Sequence, residues 1–427
     1  MRIESPLRII KPYFTPQLNL ALIIGITFCH VILSHSYYRV ISIVYNHLVG
    51  DAVFLISAIF LFWCLIQGIK VRCSKDWVIS GAVLLLVGCL AVYFSPNTEN
   101  AVARLRVYLC FFVFTFSLYS VVNAQPEKFL SHLLIAILVN FLFFAPQGLY
   151  AMFHAIDNLD PFWVKRIPYF SHIRHFGYYS FIAACISLIL FLTVRKHRFI
   201  FAAITIFALT TMIWPGSRGA IISWMAFVFF SGIFIYSFKL CVRYWLWCGT
   251  FLTIAVVIVL LSPWNQLAIE MVYRSAVADI NVVSSNRLAI WHFVLVQVFE
   301  KPLFGFGPDG FFAIRKQIDI TRGLVQPHGV LIQLVLEFGW LGGTVVLAVL
   351  WRCYRRMYQG LTLLTTKTGL EKQKALMLAL ISAYFIFSLI DGLFYHALPI
   401  AHFCVFTALV LAYCERLTDH QSSIVAN

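Results

Sequence analysis

Apolar stretches long enough to cross a membrane recur along this chain and constrain its fold more than any other feature. Each runs for about 17 to 24 residues, the length a helix needs to cross a hydrocarbon core of roughly 30 Å. Because lipid offers no partners to unpaired backbone groups, these stretches are expected to be helices. Of the 427 residues, 61% are hydrophobic and only 11% are charged. A soluble globular domain is thereby excluded.

The pattern predicts an all-α polytopic membrane protein with about 12 transmembrane helices, forming one integral membrane domain over residues 1–427. The predicted spans lie near residues 17–35, 50–69, 77–94, 105–123, 129–152, 176–193, 199–214, 219–237, 244–262, 327–350, 375–395 and 397–415. No small-residue cleavage site follows the first span, so it is expected to remain as an anchor.

Basic residues set the expected orientation. The formal charge of +15 would suit a nucleic acid partner, but Lys and Arg cluster in short loops between apolar runs, as topology signals do. A cytoplasmic N-terminus places 19 basic residues inside and seven in the short outer loops. Both termini are therefore expected in the cytoplasm, and no nucleic acid partner is expected.

Two long connections face outward in this topology, at residues 153–175 and 263–326. The second contains SSNRLAIWHFVLVQVFEKPLFGFGPDGFFAIRK, where a Ser/Asn cap signal precedes an amphipathic run and a Gly/Pro turn cluster follows. We expect short helices here, lying against the membrane surface or over the bundle. A loop of this size in a compact membrane protein is usually functional.

Several chemistries lack their motifs. The eleven cysteines are scattered singly, so neither a disulfide framework nor a CxxC metal site is expected. The chain has no Walker loop, no GxGxxG after a strand, no HExxH and no outward Asp-x-Asp pair. No ATP, divalent metal or other cofactor is expected.

Three arginines are candidates for binding an anion on the outer side. They are Arg174 in SHIRHFGYYS, Arg218 in WPGSRGA and Arg287 in SSNR. Helix N-termini attract anions, and a guanidinium binds phosphate oxygens in pairs, so a diphosphate at the outer boundary would suit them. As an alternative, Arg174 and Arg218 would be interfacial anchors, and Arg287 would be a solvated residue of an amphipathic helix.

His328 is a candidate general base at the start of the tenth span, because a neutral imidazole can accept a proton. Pro327 fixes the backbone ahead of it, and Gly329 is expected to leave room beside the ring. The alternative is a histidine that caps the helix or tethers the loop. Four supporting candidates are His175, Ser217, Asp391 and His396.

Three further polar residues rank lower. Glu337 lies inside the tenth span, where a carboxylate is costly and therefore paired or functional. Packing against a hydroxyl would satisfy it. Tyr178 and Tyr179 are expected to be interfacial aromatics.

These motifs together resemble the O-antigen ligase and polymerase superfamily of bacterial inner membranes. The resemblance rests on RHFGYYS (174–180), SRGA (217–220), the block from NRLAIW to KPLFGFGPDGF (286–311) and PHGVLIQLVLEFGWLGG (327–343). It covers residues 170–345, and the first five spans match only in hydropathy. Many relatives have Asn or Ser where this chain has Gly329.

The resemblance implies a GT-C-like membrane glycosyltransferase that takes an undecaprenyl pyrophosphate-linked glycan as donor. It implies that Arg174, Arg218 and Arg287 bind the pyrophosphate and that His328 activates the acceptor hydroxyl. Transfer would be inverting and metal-independent at the periplasmic face, with the long loop covering the site.

Within the superfamily we expect an O-antigen ligase with lipid A-core as acceptor, since the chain is compact and ends in a short tail. An O-antigen polymerase is the second interpretation, and a protein O-oligosaccharyltransferase the third. A secondary transporter would instead place its polar site near the bilayer midplane between two repeats.

Overall fold

A computed structural model describes residues 42–66, 75–123, 129–157, 173–235, 238–262, 265, 268–269, 284, 286–317, 319, 324–362 and 369–425. The helices are α1 (Ser42–Ile66), α2 (Lys75–Tyr93), α3 (Thr98–Asn123), α4 (Phe129–Asp157), α5 (Ile173–Thr193), α6 (Arg198–Ile213), α7 (Arg218–Ile235), α8 (Phe238–Leu261), α9 (Arg287–Val298), α10 (Phe311–Ile314), α11 (Val330–Thr362), α12 (Gly369–Ile390) and α13 (Ala397–Val425). A 3₁₀ turn, Leu393–Tyr395, joins α12 to α13.

The all-α polytopic architecture is confirmed. Among the described residues, eight helices are long and apolar enough to cross a membrane. Shorter apolar segments of α1, α4 and α6 coincide with three more of the predicted spans. The first predicted span, at residues 17–35, lies outside the described residues. Within the long connection at 263–326, α9 and α10 are the short helices that the sequence predicts.

The centre of the bundle is formed by α5, α12 and α13, the helices most buried by their neighbours. α5 packs on α6, α12 on α7, and α13 on α3. Small side chains such as Ala183, Ala379 and Ala408 are fully buried there, and small residues allow close helix approach where no hydrophobic effect drives association. The hydroxyl of Thr205 adds a bond to Ser187 across α5 and α6, at 2.9 Å.

Tyr178 and Tyr179 belong to this buried centre, so the expectation of interfacial aromatics was wrong. Each is 1% exposed. The Tyr179 hydroxyl bonds to Asn140 of α4, and the Tyr178 and Tyr384 hydroxyls lie 3.5 Å apart. Tyrosine is tolerated at this depth because each hydroxyl finds a partner on another helix.

α11 is broken at Gly339, which adopts φ 68° and ψ −175°. The predicted tenth span, 327–350, showed no such interruption. A loop at residues 302–307 fits into the break. The amides of Phe306 and Gly307 donate to the carbonyls of Leu336 and Glu337 at 2.8 and 2.9 Å. The amide of Trp340 donates to the carbonyl of Pro302 at 2.7 Å.

The inserted loop explains how α11 can be interrupted in a membrane protein. Backbone groups at membrane depth are tolerated outside helices only where protein satisfies them, and here the loop supplies both donors and acceptors. Ser95, just past α2, donates its hydroxyl to the Phe306 carbonyl at 2.8 Å. The long connection is therefore tied to the end of α2 and to the break inside α11.

The bundle has one end at which α5, α7 and α11 begin. We call it the site end. At the opposite end, Asp76 pairs with Arg352 at 2.6 Å and also with Arg356. Arg356 lies 3.8 Å from Glu415. These pairs join α2, α11 and α13 where basic residues concentrate.

Candidate functional site

The starts of α5 and α7 touch at the site end. A Cβ added to Gly177 would lie 2.9 Å from the Cβ of Ser217. Gly219, two residues after Ser217, lies against Phe387 of α12, which an added Cβ would meet at 2.8 Å. The absence of a side chain at Gly177 lets the starts of α5 and α7 meet. The same absence at Gly219 lets α7 pack near the end of α12, where Asp391 follows.

Asp391 contacts two of the sequence-predicted residues. Its Oδ1 lies 3.4 Å from His328 Nδ1, and its Oδ2 lies 3.7 Å from Arg287 Nη2. The three side chains are between 15% and 17% exposed. A carboxylate oxygen can only accept, so this contact favours the imidazole tautomer with its proton on Nδ1. The lone pair of a neutral His328 then lies on Nε2.

His328 itself has φ 54°, a left-handed backbone conformation that residues with a Cβ seldom adopt. Asn286, directly before Arg287, shares this feature with φ 62°. Asn286 precedes α9 as the Ser/Asn signal predicts, but its side chain makes no capping bond. Strained backbone persists only where surrounding contacts over-determine it, and it clusters at functional sites.

His396 lies close enough to Asp391 for the two to interact electrostatically. Its ring meets that of His175 edge to face, with centroids 4.4 Å apart. The amide of Gln326 donates to His396 Nε2 at 3.0 Å. Burial first, and then the neighbouring His175, hold the pKa of His396 well below its ordinary 6.5. The bond from Gln326 agrees, since it requires an unprotonated Nε2.

Two of the predicted arginines lie at the same end. Arg174 is in the first turn of α5, and its side chain lies outside the part that the structure describes. Arg218 is the first residue of α7 and is half-buried. Direct contacts thus join Arg287 and His328 to Asp391 and join His175 to His396. Ser217 lies against Gly177 of α5, and Arg174 and Arg218 lie at the adjoining helix starts.

Arg104 is a buried cation that the sequence prediction placed in an outer loop. It lies inside α3 and is 1% exposed. Its Nη2 donates to the Tyr395 carbonyl at 2.5 Å, and its guanidinium stands 4.5 Å from the Tyr395 ring centroid. Arg104 therefore holds the turn that carries His396.

Glu337 is paired, as one of its two predicted alternatives required. It accepts from the Tyr108 hydroxyl at 2.9 Å and from the Gln333 amide at 3.0 Å. The nearby Arg104 also attracts it electrostatically. Glu337 thus belongs to a polar network beneath the site.

An apolar cavity of about 300 Å³ lies between α2, α3, α11 and α13. Val330 and Phe394 line it toward the site, and Asp76 and Glu415 line it toward the opposite end. It therefore extends alongside the helices for most of their length.

Residues 203–347 match the sequence model of the O-antigen ligase family. The matched segment runs from α6 into α11. It includes Arg218, Arg287, His328 and the loop inserted into α11, whereas Asp391 and His396 lie beyond it. No curated protein matches the chain.

Proposed function

We propose that this protein, whose residues 203–347 match the sequence model of the O-antigen ligase family, is an O-antigen ligase. It transfers a glycan from undecaprenyl pyrophosphate to a sugar hydroxyl of lipid A-core. The observation that carries the proposal is the contact of His328 and Arg287 with one carboxylate, Asp391, at the end where α5 and α7 begin. A base, a cation and two helix N-termini there suit a diphosphate leaving group.

The donor pyrophosphate is held by Arg174, Arg218 and Arg287. Arg218 adds its charge to the positive end of the α7 dipole, and Arg174 does so at α5. Arg287 contacts Asp391 through Nη2. A guanidinium has five N–H groups in all, so one guanidinium can contact a carboxylate and a phosphate at the same time. The arginines thereby take over the charge neutralisation that a divalent cation supplies in other transferases.

His328 accepts the proton of the acceptor hydroxyl on Nε2. The acceptor oxygen forms a bond to the anomeric carbon while the bond from that carbon to the diphosphate oxygen breaks. The electron pair leaves with undecaprenyl pyrophosphate, whose charge the arginines stabilise. Attack from the side opposite the leaving group inverts the anomeric configuration. Asp391 stabilises the imidazolium that forms.

The site faces the periplasm of a bacterial inner membrane, with both termini in the cytoplasm. The positive-inside rule supports this orientation, because the cations Arg195, Lys196, Arg352, Arg355 and Arg356 lie at the opposite end. The apolar cavity beside α11 supports a substrate with a long hydrocarbon chain.

An O-antigen polymerase is the second candidate, since the family match does not separate the two activities by acceptor. A protein O-oligosaccharyltransferase would use the same donor. A transporter is disfavoured because the polar groups gather at one end, whereas transporter sites lie near the midplane.

Lipopolysaccharide from a deletion strain tests the function. We expect bare core with long glycans left on the lipid carrier, and complementation by the wild-type chain. Core that bears single repeat units would indicate a polymerase, and loss of a modified protein would indicate an oligosaccharyltransferase.

Arg218→Ala and His328→Ala should fail to complement at normal protein levels. Arg355→Ala and His132→Ala, at exposed positions, should complement fully.

A further inference from the structure

A tryptophan in the long connection contacts the backbone on both sides of His328. The indole Nε1 of Trp291 lies 3.0 Å from the Pro327 carbonyl oxygen and 3.1 Å from the His328 carbonyl oxygen. One N–H is therefore shared between two acceptors. These hydrogen bonds connect Trp291 of α9 with the two residues Pro327 and His328, which precede α11.

The two acceptors define the conformation of His328. The Pro327 carbonyl belongs to the peptide plane before His328, and the His328 carbonyl belongs to the plane after it. Rotation about φ moves the first plane relative to the residue, and rotation about ψ moves the second. A single donor bound to both oxygens therefore restrains φ and ψ together. This restraint acts on the residue whose φ of 54° is disfavoured for a side chain with a Cβ.

Gly329 provides the space for this indole. A Cβ built on Gly329 would lie 3.2 Å from Cζ2 of Trp291 and 3.3 Å from the Leu389 carbonyl oxygen. The sequence suggested that Gly329 leaves room beside the imidazole. In the structure the room that it leaves is occupied by the ring of Trp291.

α9 brings Trp291 and Arg287 to the site on one face, because they are four residues apart in one helix. The same helix buries Ile290, Val294 and Val298 in a small apolar cluster with Leu336 of α11. α9 is therefore fixed by its own packing, and its position determines both the Arg287 contact with Asp391 and the Trp291 contacts with the His328 backbone.

We propose that Trp291 is a positioning residue that acts through His328. By restraining the peptide planes on either side, it keeps the imidazole turned toward Asp391. The proposal rests on the glycosyl transfer described above. The Trp291 N–H bonds to the backbone around His328 and, being a donor, cannot bond to the guanidinium donors assigned to the pyrophosphate. Its loss should therefore affect the reaction step and leave donor binding unchanged.

Trp291→Phe removes the N–H and keeps an aromatic ring of similar position. With purified protein, lipid-linked donor and core acceptor, we expect kcat to fall about tenfold, because a misplaced base loses near-attack geometry. The KM for the donor should stay within about twofold, since the arginines are untouched. The matched control Trp351→Phe changes a tryptophan that is 63% exposed and should leave both constants unchanged.

Gly329→Ala tests the same contact without changing Trp291. The added Cβ displaces the ring, so kcat should again fall while donor KM holds. In the double variant, Trp291→Phe with Gly329→Ala, the loss should be smaller than the product of the single losses, because both disturb one interaction. If Trp291→Phe fails to fold, Gly329→Ala alone decides, and an unchanged kcat there would contradict the proposal.

A raised donor KM with a normal kcat in Trp291→Phe would show that Trp291 serves to anchor α9. That result would overturn the positioning role. Full activity of that variant would overturn it as well. His328→Ala is measured in parallel to separate the two hypotheses. If His328→Ala is inactive and Trp291→Phe is normal, only the positioning role fails. If His328→Ala transfers glycan normally, the proposed mechanism itself fails.

Discussion

Asp391 contacts a histidine and an arginine at once, so its carboxylate both orients a ring and balances a charge. The contact of 3.4 Å to His328 Nδ1 is long for a hydrogen bond. Catalytic hydrogen bonds often tighten only when substrate is present. The Gly392 amide also donates to Oδ1 at 2.9 Å, which fixes the carboxylate relative to its own turn. Asp391 is thus positioned by the backbone before it acts on His328.

Asp391→Asn should lower kcat about a hundredfold while the protein stays folded. The amide can present an N–H to Nδ1 and so favour the wrong tautomer, and it no longer neutralises the imidazolium. Transfer of labelled glycan by purified protein measures the effect. Asp76→Asn is the matched control, because Asp76 pairs with Arg352 and Arg356 at the opposite end of the bundle. An Asp391→Asn enzyme with a normal kcat would remove Asp391 from the mechanism.

His396 makes the stability of the protein depend on pH. Its pKa lies well below 6.5 in the folded protein, so below pH 6.5 the unfolded state binds the proton first. The neutral, buried His396 therefore costs no stability above pH 6.5. As the pH falls from 6.5 toward the folded pKa, the free energy of unfolding decreases by at most about 1.4 kcal/mol per pH unit. Thermal unfolding between pH 7.5 and 5 measures it. His396→Gln should show a smaller loss on the acid side, and an identical slope would contradict this assignment.

The sequence singled out the charged candidate residues and missed the residues that contact them. Arg287 and His328 stand out because charge and imidazole are rare beside apolar spans. Trp291, Gln326 and Arg104 do not stand out, because their roles depend on which backbone they meet. Trp291 looks like one more apolar residue of α9 until its indole is placed against the His328 carbonyl.

At the scale of helices, hydropathy predicted where the described spans lie but not all of their ends. α3 begins seven residues before its predicted span, 105–123, and α11 ends twelve residues after its predicted span, 327–350. Hydropathy also missed the break in α11. The stretch LEFGWLGG contains glycines but is apolar on average. Hydropathy averaged along the sequence therefore indicates one continuous span. What interrupts the helix is a loop 32 to 37 residues earlier in the chain, counting from Gly339 to residues 302–307. No local pattern can report a partner so distant in sequence.

Gly339→Ala should destabilise the protein by about 3 kcal/mol or more. Its φ of 68° is unfavourable for alanine, and a Cβ would lie 2.4 Å from the Leu303 carbonyl group. Gly249→Ala in α8 is the matched control, since a Cβ there meets nothing within 4 Å. It should be neutral or stabilising by up to about 1 kcal/mol. Thermal unfolding in detergent compares them, and equal midpoints would refute the inserted-loop account.

For the whole molecule, the sequence predicted the class and the distribution of charge. The alternation of apolar spans and basic loops is encoded locally, so it survives without knowledge of packing. The convergence of α5, α7, α9 and α12 at one end is not local, and it became visible only through contacts such as Gly177 with Ser217. The sequence could therefore predict that the candidate residues share one side of the membrane, but not which of them contact one another.

That sidedness is testable without any assay of transfer. Glu99, exposed at the start of α3, lies at the site end, and Lys196, exposed between α5 and α6, lies at the opposite end. In a background with the eleven native cysteines replaced, Glu99→Cys should react with an impermeant maleimide from the periplasm. Lys196→Cys should react only after the inner membrane is opened, since loops rich in Lys and Arg stay in the cytoplasm. Reaction of both introduced cysteines from one side would contradict the antiparallel order of α2 to α6. Reversed labelling would place His328 and Asp391 in the cytoplasm, where they could not serve a periplasmic transfer.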